Sequence, residues 1–294
     1  MKIKQLFIGL IGLASLWIGC SENPTKPEYQ KEIMIYGNLW GNRPLNQEHA
    51  ISVKYTWPVD EAYDKVEAAV QNGNVTLTDA SSGESWVLRD TDDSPGYYFN
   101  EDLVIRPLTT YLLRVEADNQ VVTATTTVPP VITLTTDLLQ DSLNREYQKN
   151  LGFEKPVYVD CECPDDLMIV VDMYCEESWE DARFVNPFFG FEEPESQEDY
   201  DGGRNGEPRH IQAFVTYQDL VAPAFENRHT IYWYASMIVF YGRNTMQIMA
   251  VDDNYNNYTF AEHRVHSGGV QGGLGLFASM CGETFSLNIL EEQP

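Results

Sequence analysis

Thr110-Tyr111-Leu112-Leu113-Arg114-Val115-Glu116-Ala117 and Val121-Val122-Thr123-Ala124-Thr125-Thr126-Thr127-Val128 stand on either side of Asp118-Asn119-Gln120. Both runs are rich in the β-branched and aromatic residues that suit a pleated, half-buried surface, and the polar trio between them has turn chemistry. They predict a pair of strands. Pro129-Pro130 follows and closes the unit, because proline cannot donate to a ladder. The same grammar recurs upstream. Val75-Thr76-Leu77-Thr78 and Ser85-Trp86-Val87-Leu88 flank the turn residues Asp79-Ala80-Ser81-Ser82-Gly83, which predicts a hairpin. Gly96-Tyr97-Tyr98-Phe99 opens another strand. Ile51, Val53, Tyr55 and Trp57 alternate with Ser52, Lys54 and Thr56 until Pro58 stops them, the period-two signature of a strand with one wet face. Ile33-Met34-Ile35-Tyr36 is the first strand, ended by Gly37 or Gly41.

Strands at this spacing predict a mainly β protein whose residues 32–130 form an Ig-like or transthyretin-like β-sandwich. Residues 131–155 read as a linker. Leu138, Leu139, Leu143 and Tyr147 have roughly helical spacing, with Asp137 as N-cap and Gly152 beyond the end, so a helix and an ordered loop both fit. From 156 to 294 a second β-rich domain with few short helices is expected. Val157-Tyr158-Val159, Leu167 to Tyr174 (apolar on both faces) and Ile211 to Tyr217 are strands. His229 to Tyr241 and Thr245 to Val251 predict a hairpin through Gly242-Arg243-Asn244. Asp253 to Glu262 is a helical turn and Glu283 to Leu290 the last strand. Strands do not alternate with helices, which counts against an α/β enzyme core.

The start of the chain reads differently. Lys2 and Lys4 precede an uncharged, mostly apolar run from Leu6 to Ile18, then Gly19-Cys20 and the polar Ser21-Glu22-Asn23-Pro24. Thirteen residues span roughly 20 Å as a helix, short of the ~30 Å hydrocarbon core, so the layout is that of an export signal. Gly19-Cys20 resembles a bacterial lipobox, in which the cysteine is acylated; Trp17 departs from the usual Leu or Val. Residues 1–20 are thus expected to be a lipoprotein signal peptide, Cys20 the lipidation site, and 21–31 a proline-bearing tether. The expected location is the cell envelope, anchored in the outer membrane.

Charge fits a protein that avoids polyanions. The chain carries 45 acidic and 19 basic residues, a net −26; without Lys2 and Lys4 it is 17 against 45, near −28. Such a surface repels nucleic acid, which is excluded as a partner. Beyond Cys20 four cysteines remain, Cys161, Cys163, Cys175 and Cys281. An even number in an exported chain favours disulfides, with free thiols or a metal as alternatives; C-x-C lacks the C-x-x-C knuckles of zinc sites. Cys161 and Cys163, two apart on an expected strand, project to one side, so each is expected to pair with Cys175 or Cys281 instead.

A resemblance adds to this reading. Val75-Thr76-Leu77-Thr78-Asp79, Gly83, Tyr97-Tyr98 and Pro107 to Val115 resemble a carboxypeptidase-regulatory-like sandwich. With the lipobox, Met249-Ala250-Val251-Asp252, Tyr255, Tyr258 and Gly272 to Phe277, nearly the whole chain is similar to a family of uncharacterised outer-membrane lipoproteins of Bacteroidetes type. That resemblance implies a sandwich followed by a β-rich part, no established reaction, and association with a TonB-dependent outer-membrane receptor. The cysteines and the acidity are not among the features it carries.

Catalytic motifs are weak. Gly273-Leu274-Gly275-Leu276-Phe277-Ala278 matches G-x-G-x-x-A but lies too near the end for a βαβ unit. Its glycines, with Gly268, Gly269 and Gly272, read either as a segment crossing closely over a sheet or as a partner-facing loop. Glu262-His263-Arg264-Val265-His266 lacks the spacing of a zinc helix, and Asp252, Asn254 and Asn256 only begin a calcium loop. Glu192 to Gly203 reads as a solvated acidic loop, a second calcium candidate. No catalytic residue, cofactor or metal is nominated. The expected function is a non-enzymatic, membrane-anchored binding or assembly accessory, with a secreted acidic hydrolase acting on carbohydrate or peptide, or an adhesive surface component, as alternatives.

Overall fold

The computed structural model describes residues 29–136, 143–147, 150–185, 192–202 and 209–291. The expected export signal with Cys20, most of the expected tether and residues 137–142 of the linker lie outside them.

The first half follows its alternation. Strands β1 (Ile33–Trp40), β2 (Pro44–Leu45), β3 (Ile51–Tyr55), β4 (Asn74–Asp79), β5 (Ser85–Thr91), β6 (Ser94–Val104), β7 (Thr110–Ala117) and β8 (Gln120–Thr127) place every second residue in one core. Ile33, Ile35, Ile51, Val53, Val75, Leu77, Tyr111, Leu113 and Val115 are essentially sealed from solvent. The β7–β8 hairpin is tighter than its sequence suggests: Ala117 pairs with Gln120, and Asp118 (φ 48°) and Asn119 (φ 60°) alone make a type I′-like turn. In the β4–β5 turn, the Asp79 carboxylate accepts from the amides of Ser81 (2.7 Å) and Ser82 (3.2 Å). These bonds satisfy donors that the ladder leaves unpaired.

The second half holds β9 (Thr133–Thr135), β10 (Leu143–Glu146), α1 (Leu151–Glu154), β11 (Val157–Asp160), β12 (Met168–Cys175), α2 (Gln197–Gly202), β13 (His210–Thr216), β14 (Val221–Ala222), β15 (Arg228–Ile231), β16 (Gly242–Val251), α3 (Asp253–Phe260), β17 (Val270–Gln271) and β18 (Leu274–Leu290). Three expectations need correction. Leu143–Glu146 is a strand, not helix, because it pairs in parallel with Leu287–Leu290 of β18. The run from His229 is extended only to Ile231. It then coils into a 3₁₀ turn at Trp233–Met237 that buries Tyr234, Ala235 and Met237 in the second core, so no hairpin with β16 forms. The acidic loop contains α2, whose Ser196 hydroxyl accepts from the Asp199 amide (3.2 Å) and whose Tyr200 is fully buried.

Among the described residues the protein is mainly β, as its alternation predicts. Fourteen strands share one mixed sheet, in the order β13-β12-β16-β18-β1-β3-β6-β5-β4-β7-β8-β17 with β10 on β18 and β2 on β6. β14-β15-β11-β9 form a second, small sheet. The joint is β18. Leu274 to Met280 run parallel to β1, and Met280 to Ile289 run antiparallel to β16. Phe277 therefore enters the core of the first half, while Phe285, Leu287 and Ile289 enter that of the second. Glu32–Thr56 and Asp64–Pro294 make one compact unit containing every strand. Trp57–Tyr63 belongs with the chain start to another, within which the Trp57 and Tyr63 rings meet edge-on at 6.0 Å.

Candidate functional site

Strand β12 carries apolar residues on one side and polar ones on the other. Ile169, Val171 and Met173 point into the second core, as do Met246, Ile248 and Ala250 of β16. Residues directly opposite in an antiparallel ladder share a face. The register therefore builds polar rows on the other side: Gln212, Asp172, Gln247 and Thr284, then His210, Tyr174, Thr245 and Ser286. At one end the row Phe214, Val170, Met249 turns apolar and is covered by α3, with Phe214 and Phe260 edge-on at 4.9 Å. At the other end, Arg209 lies over the rings of Tyr174 (4.5 Å) and Tyr200 (5.0 Å) and pairs with Asp201 (2.6 Å). Between them is a depression of about 360 Å³ lined by Asp172, Tyr174, Glu176, His210, Thr245 and Gln247.

Charges in this depression are matched in place. Asp172 Oδ1 is 2.6 Å from His210 Nε2, and Gln212 Nε2 donates to Asp172 Oδ2 at 3.4 Å. Glu176 Oε2 is 2.8 Å from Arg243 Nε, and its other oxygen accepts from the Thr245 hydroxyl. The Arg209 guanidinium also donates to the Tyr174 hydroxyl, and burial lowers its pKa. What results is an array of carboxylates, amides and hydroxyls held largely on paired strands.

A family model described as Domain of unknown function (DUF4249) matches residues 24–259, most of the chain. The protein belongs to the DUF4249 family. No curated protein matches it. The family match stops within α3, so β17 and the joining strand β18 lie beyond it.

Sequence reasoning missed the polar face of this DUF4249 protein. The run Leu167–Tyr174 reads as buried on both sides, and its signal was the lone carboxylate, Asp172. His210 carries no signal of its own in the chain, since only the ladder brings it to Asp172. The cysteine pairing is also corrected. Cys161 and Cys163 are joined in a disulfide, with Cα atoms 5.2 Å apart, while Cys175 and Cys281 are buried free thiols. The alternation argument fails because β11 ends at Asp160, so both cysteines sit in the irregular segment after it. Cys175 receives a hydrogen bond from the Tyr200 hydroxyl, and burial pushes its thiol pKa up.

The glycine segment has a packing role. Gly268 and Gly275 are buried, Gly269 and Gly273 half-buried and Gly272 exposed. A Cβ on Gly275 (φ 115°) would overlap the Ile35 carbonyl oxygen, and one on Gly273 would stand 3.0 Å from Val122. The segment thus crosses between β1 and β8. His263 and His266 are exposed beside a 3₁₀ turn. Among the described residues, no group of three or more His, Cys, Asp or Glu gathers to hold a metal. Asp252 turns inward instead of forming a calcium loop. It caps α3 by accepting from the Tyr255 amide (3.0 Å), and the Thr126 hydroxyl meets its other oxygen. Burial raises its pKa from 3.8 to about 6.

Proposed function

We propose that this DUF4249 protein is a non-enzymatic binding or assembly accessory of the bacterial outer membrane, anchored through acylated Cys20 and partnering a TonB-dependent receptor. The export-signal layout, the Gly19-Cys20 pair and the resemblance to Bacteroidetes-type lipoproteins support the anchor and the partner. The observation that carries the binding role is the polar face over β13, β12, β16 and β18. Its side chains stand largely on strands, several of them already in contact with one another (Gln212 with Asp172, Arg209 with Tyr174, Thr245 with Glu176), and so meet a ligand with little ordering cost.

Affinity purification from native membranes, with mass spectrometry of the eluate, tests the reading. An integral outer-membrane receptor is expected to co-elute with wild type, and Cys20→Ser is expected to release the protein from membranes or stall its processing. Several acyl chains hold a protein stably at about 0.8 kcal/mol per buried CH₂. A mutant that matures and still partitions with membranes, or an eluate without a receptor, overturns it. The Asp172–His210 pair favours one competitor, a hydrolase using an oriented imidazole as base. That reading requires turnover that Asp172→Asn abolishes.

A further inference from the structure

We infer that the depression over β12, β13 and β16 is a saccharide site that takes the end of a neutral glycan. The inference deepens the binding role proposed above and rests on it. Three features of the depression converge on this ligand class.

The first is charge. Asp172 faces His210 at 2.6 Å, Glu176 faces Arg243 at 2.8 Å, and Arg209 faces Asp201 at 2.6 Å. A cationic ligand would meet Arg243 and Arg209, and an anionic one would meet Asp172, Glu176 and Asp201. A neutral polar ligand keeps all three pairs and uses the lone pairs and N–H groups they leave over.

The second is the kind of polar group. Asp172, Glu176 and Gln247 each end in a planar pair of heteroatoms. Such a group can hold two neighbouring hydroxyls at once, the arrangement a pyranose ring repeats around its edge. Thr245 adds a hydroxyl, and Tyr174, with Arg209 over one face of its ring, adds an aromatic wall. A peptide would instead need donors and acceptors in a line along a free backbone edge, whereas these groups form a grid. Rows stand about 7 Å apart along the strands and about 4.8 Å apart between them.

The third is size. At about 360 Å³ the depression falls at the small end of the ~300–1,000 Å³ of ligand sites, so it holds a glycan terminus rather than a long chain. Five of the six lining residues stand on strands and Glu176 directly follows β12, so most of the grid is in place before the ligand arrives.

The test is titration calorimetry on the full-length protein in lauryldimethylamine oxide, a detergent without a sugar headgroup. The probes are maltohexaose, cellohexaose, xylohexaose, mannohexaose and chitohexaose, with a tryptic digest of casein as the peptide comparison. At least one hexasaccharide is expected to bind with Kd below about 1 mM. Gln247→Ala and Thr245→Ala are each expected to weaken it about tenfold or more while the melting temperature stays put, and Asp172→Asn to do the same if it folds. No binding by any hexasaccharide overturns the inference. So does binding that survives both Gln247→Ala and Thr245→Ala, or binding by the casein peptides alone. Receptor capture from native membranes with the same variants separates the two readings. Capture without sugar binding sinks the saccharide site and leaves the accessory role; sugar binding without capture does the reverse.

Discussion

Asp252 shows what one buried carboxylate does to a fold. Its side chain caps α3, contacts Thr126 of β8, and sits beside Ser279 of β18, which the Thr126 hydroxyl also reaches at 2.7 Å. Thr126 and Ser279 are almost wholly buried. The knot thus ties the first half to the second through a half-buried carboxylate and two hydroxyls nearly sealed from water. Burial raises the Asp252 pKa from 3.8 to about 6, so the folded protein holds this proton more tightly than the unfolded chain does. Its contribution to stability is fully present below about pH 3.8 and is lost as pH rises through about 6, in total at most about 3 kcal/mol. Asp252→Asn keeps a capping side chain and removes the ionisation. Urea unfolding of both proteins is expected to show the variant gaining on wild type by up to about 3 kcal/mol between pH 3.5 and 7.5. A stability difference that stays flat across that range would mean the carboxylate ionises as freely as in water.

At the scale of elements, the glycine segment and β18 act together. Gly269 and Gly272 hold φ of 78° and 77°, a region that costs an L-residue about 1–2 kcal/mol. A Cβ on Gly272 would stand 2.9 Å from the Val121 carbonyl oxygen. One on Gly269 would strike the Asn254 amide, which donates to Thr125 O (2.6 Å) and Phe277 O (2.9 Å). Replacing both glycines by Ala is therefore expected to cost about 2–4 kcal/mol and lower the melting temperature clearly. Scanning calorimetry decides it, and a double variant that melts normally would show the segment to be merely tolerated. The sequence reading left a close crossing and a partner-facing loop open. The short contacts of Gly272, Gly273 and Gly275 supply the reason for the crossing, because they arise from β8 and β1, more than a hundred residues away.

At the scale of the molecule, the first half borrows part of its core. Phe277 and Val270 pack among Ile33, Ile35, Val115 and Val122, and β18 covers the edge of β1 that β3 leaves bare. A chain truncated after Pro130 loses both. It is expected to show no cooperative urea transition and to associate through the exposed edge of β1. Sharp, reversible unfolding of the truncated chain would make the borrowed strand dispensable.

How much of this the residues announced follows from range. Alternation in β3, β4, β7 and β8 and the turn residues between them are local, and local sterics and burial determine them wherever the chain goes. The extended run from His229 misleads for the converse reason. Aromatic and β-branched residues suit a strand and a packed 3₁₀ turn alike, and the choice fell to which core lay within reach of Tyr234 and Met237. The candidate site was the least legible part. Asp172, His210 and Thr245 are scattered in the chain, and only the register of three antiparallel strands sets them side by side. The sequence by itself thus determined the mainly β class, the strand spacing and the acidic surface, because each depends on neighbours in the chain. Tertiary structure alone decided the seventeen-residue β18 and the polar face, because each depends on contacts that close only when distant strands have paired.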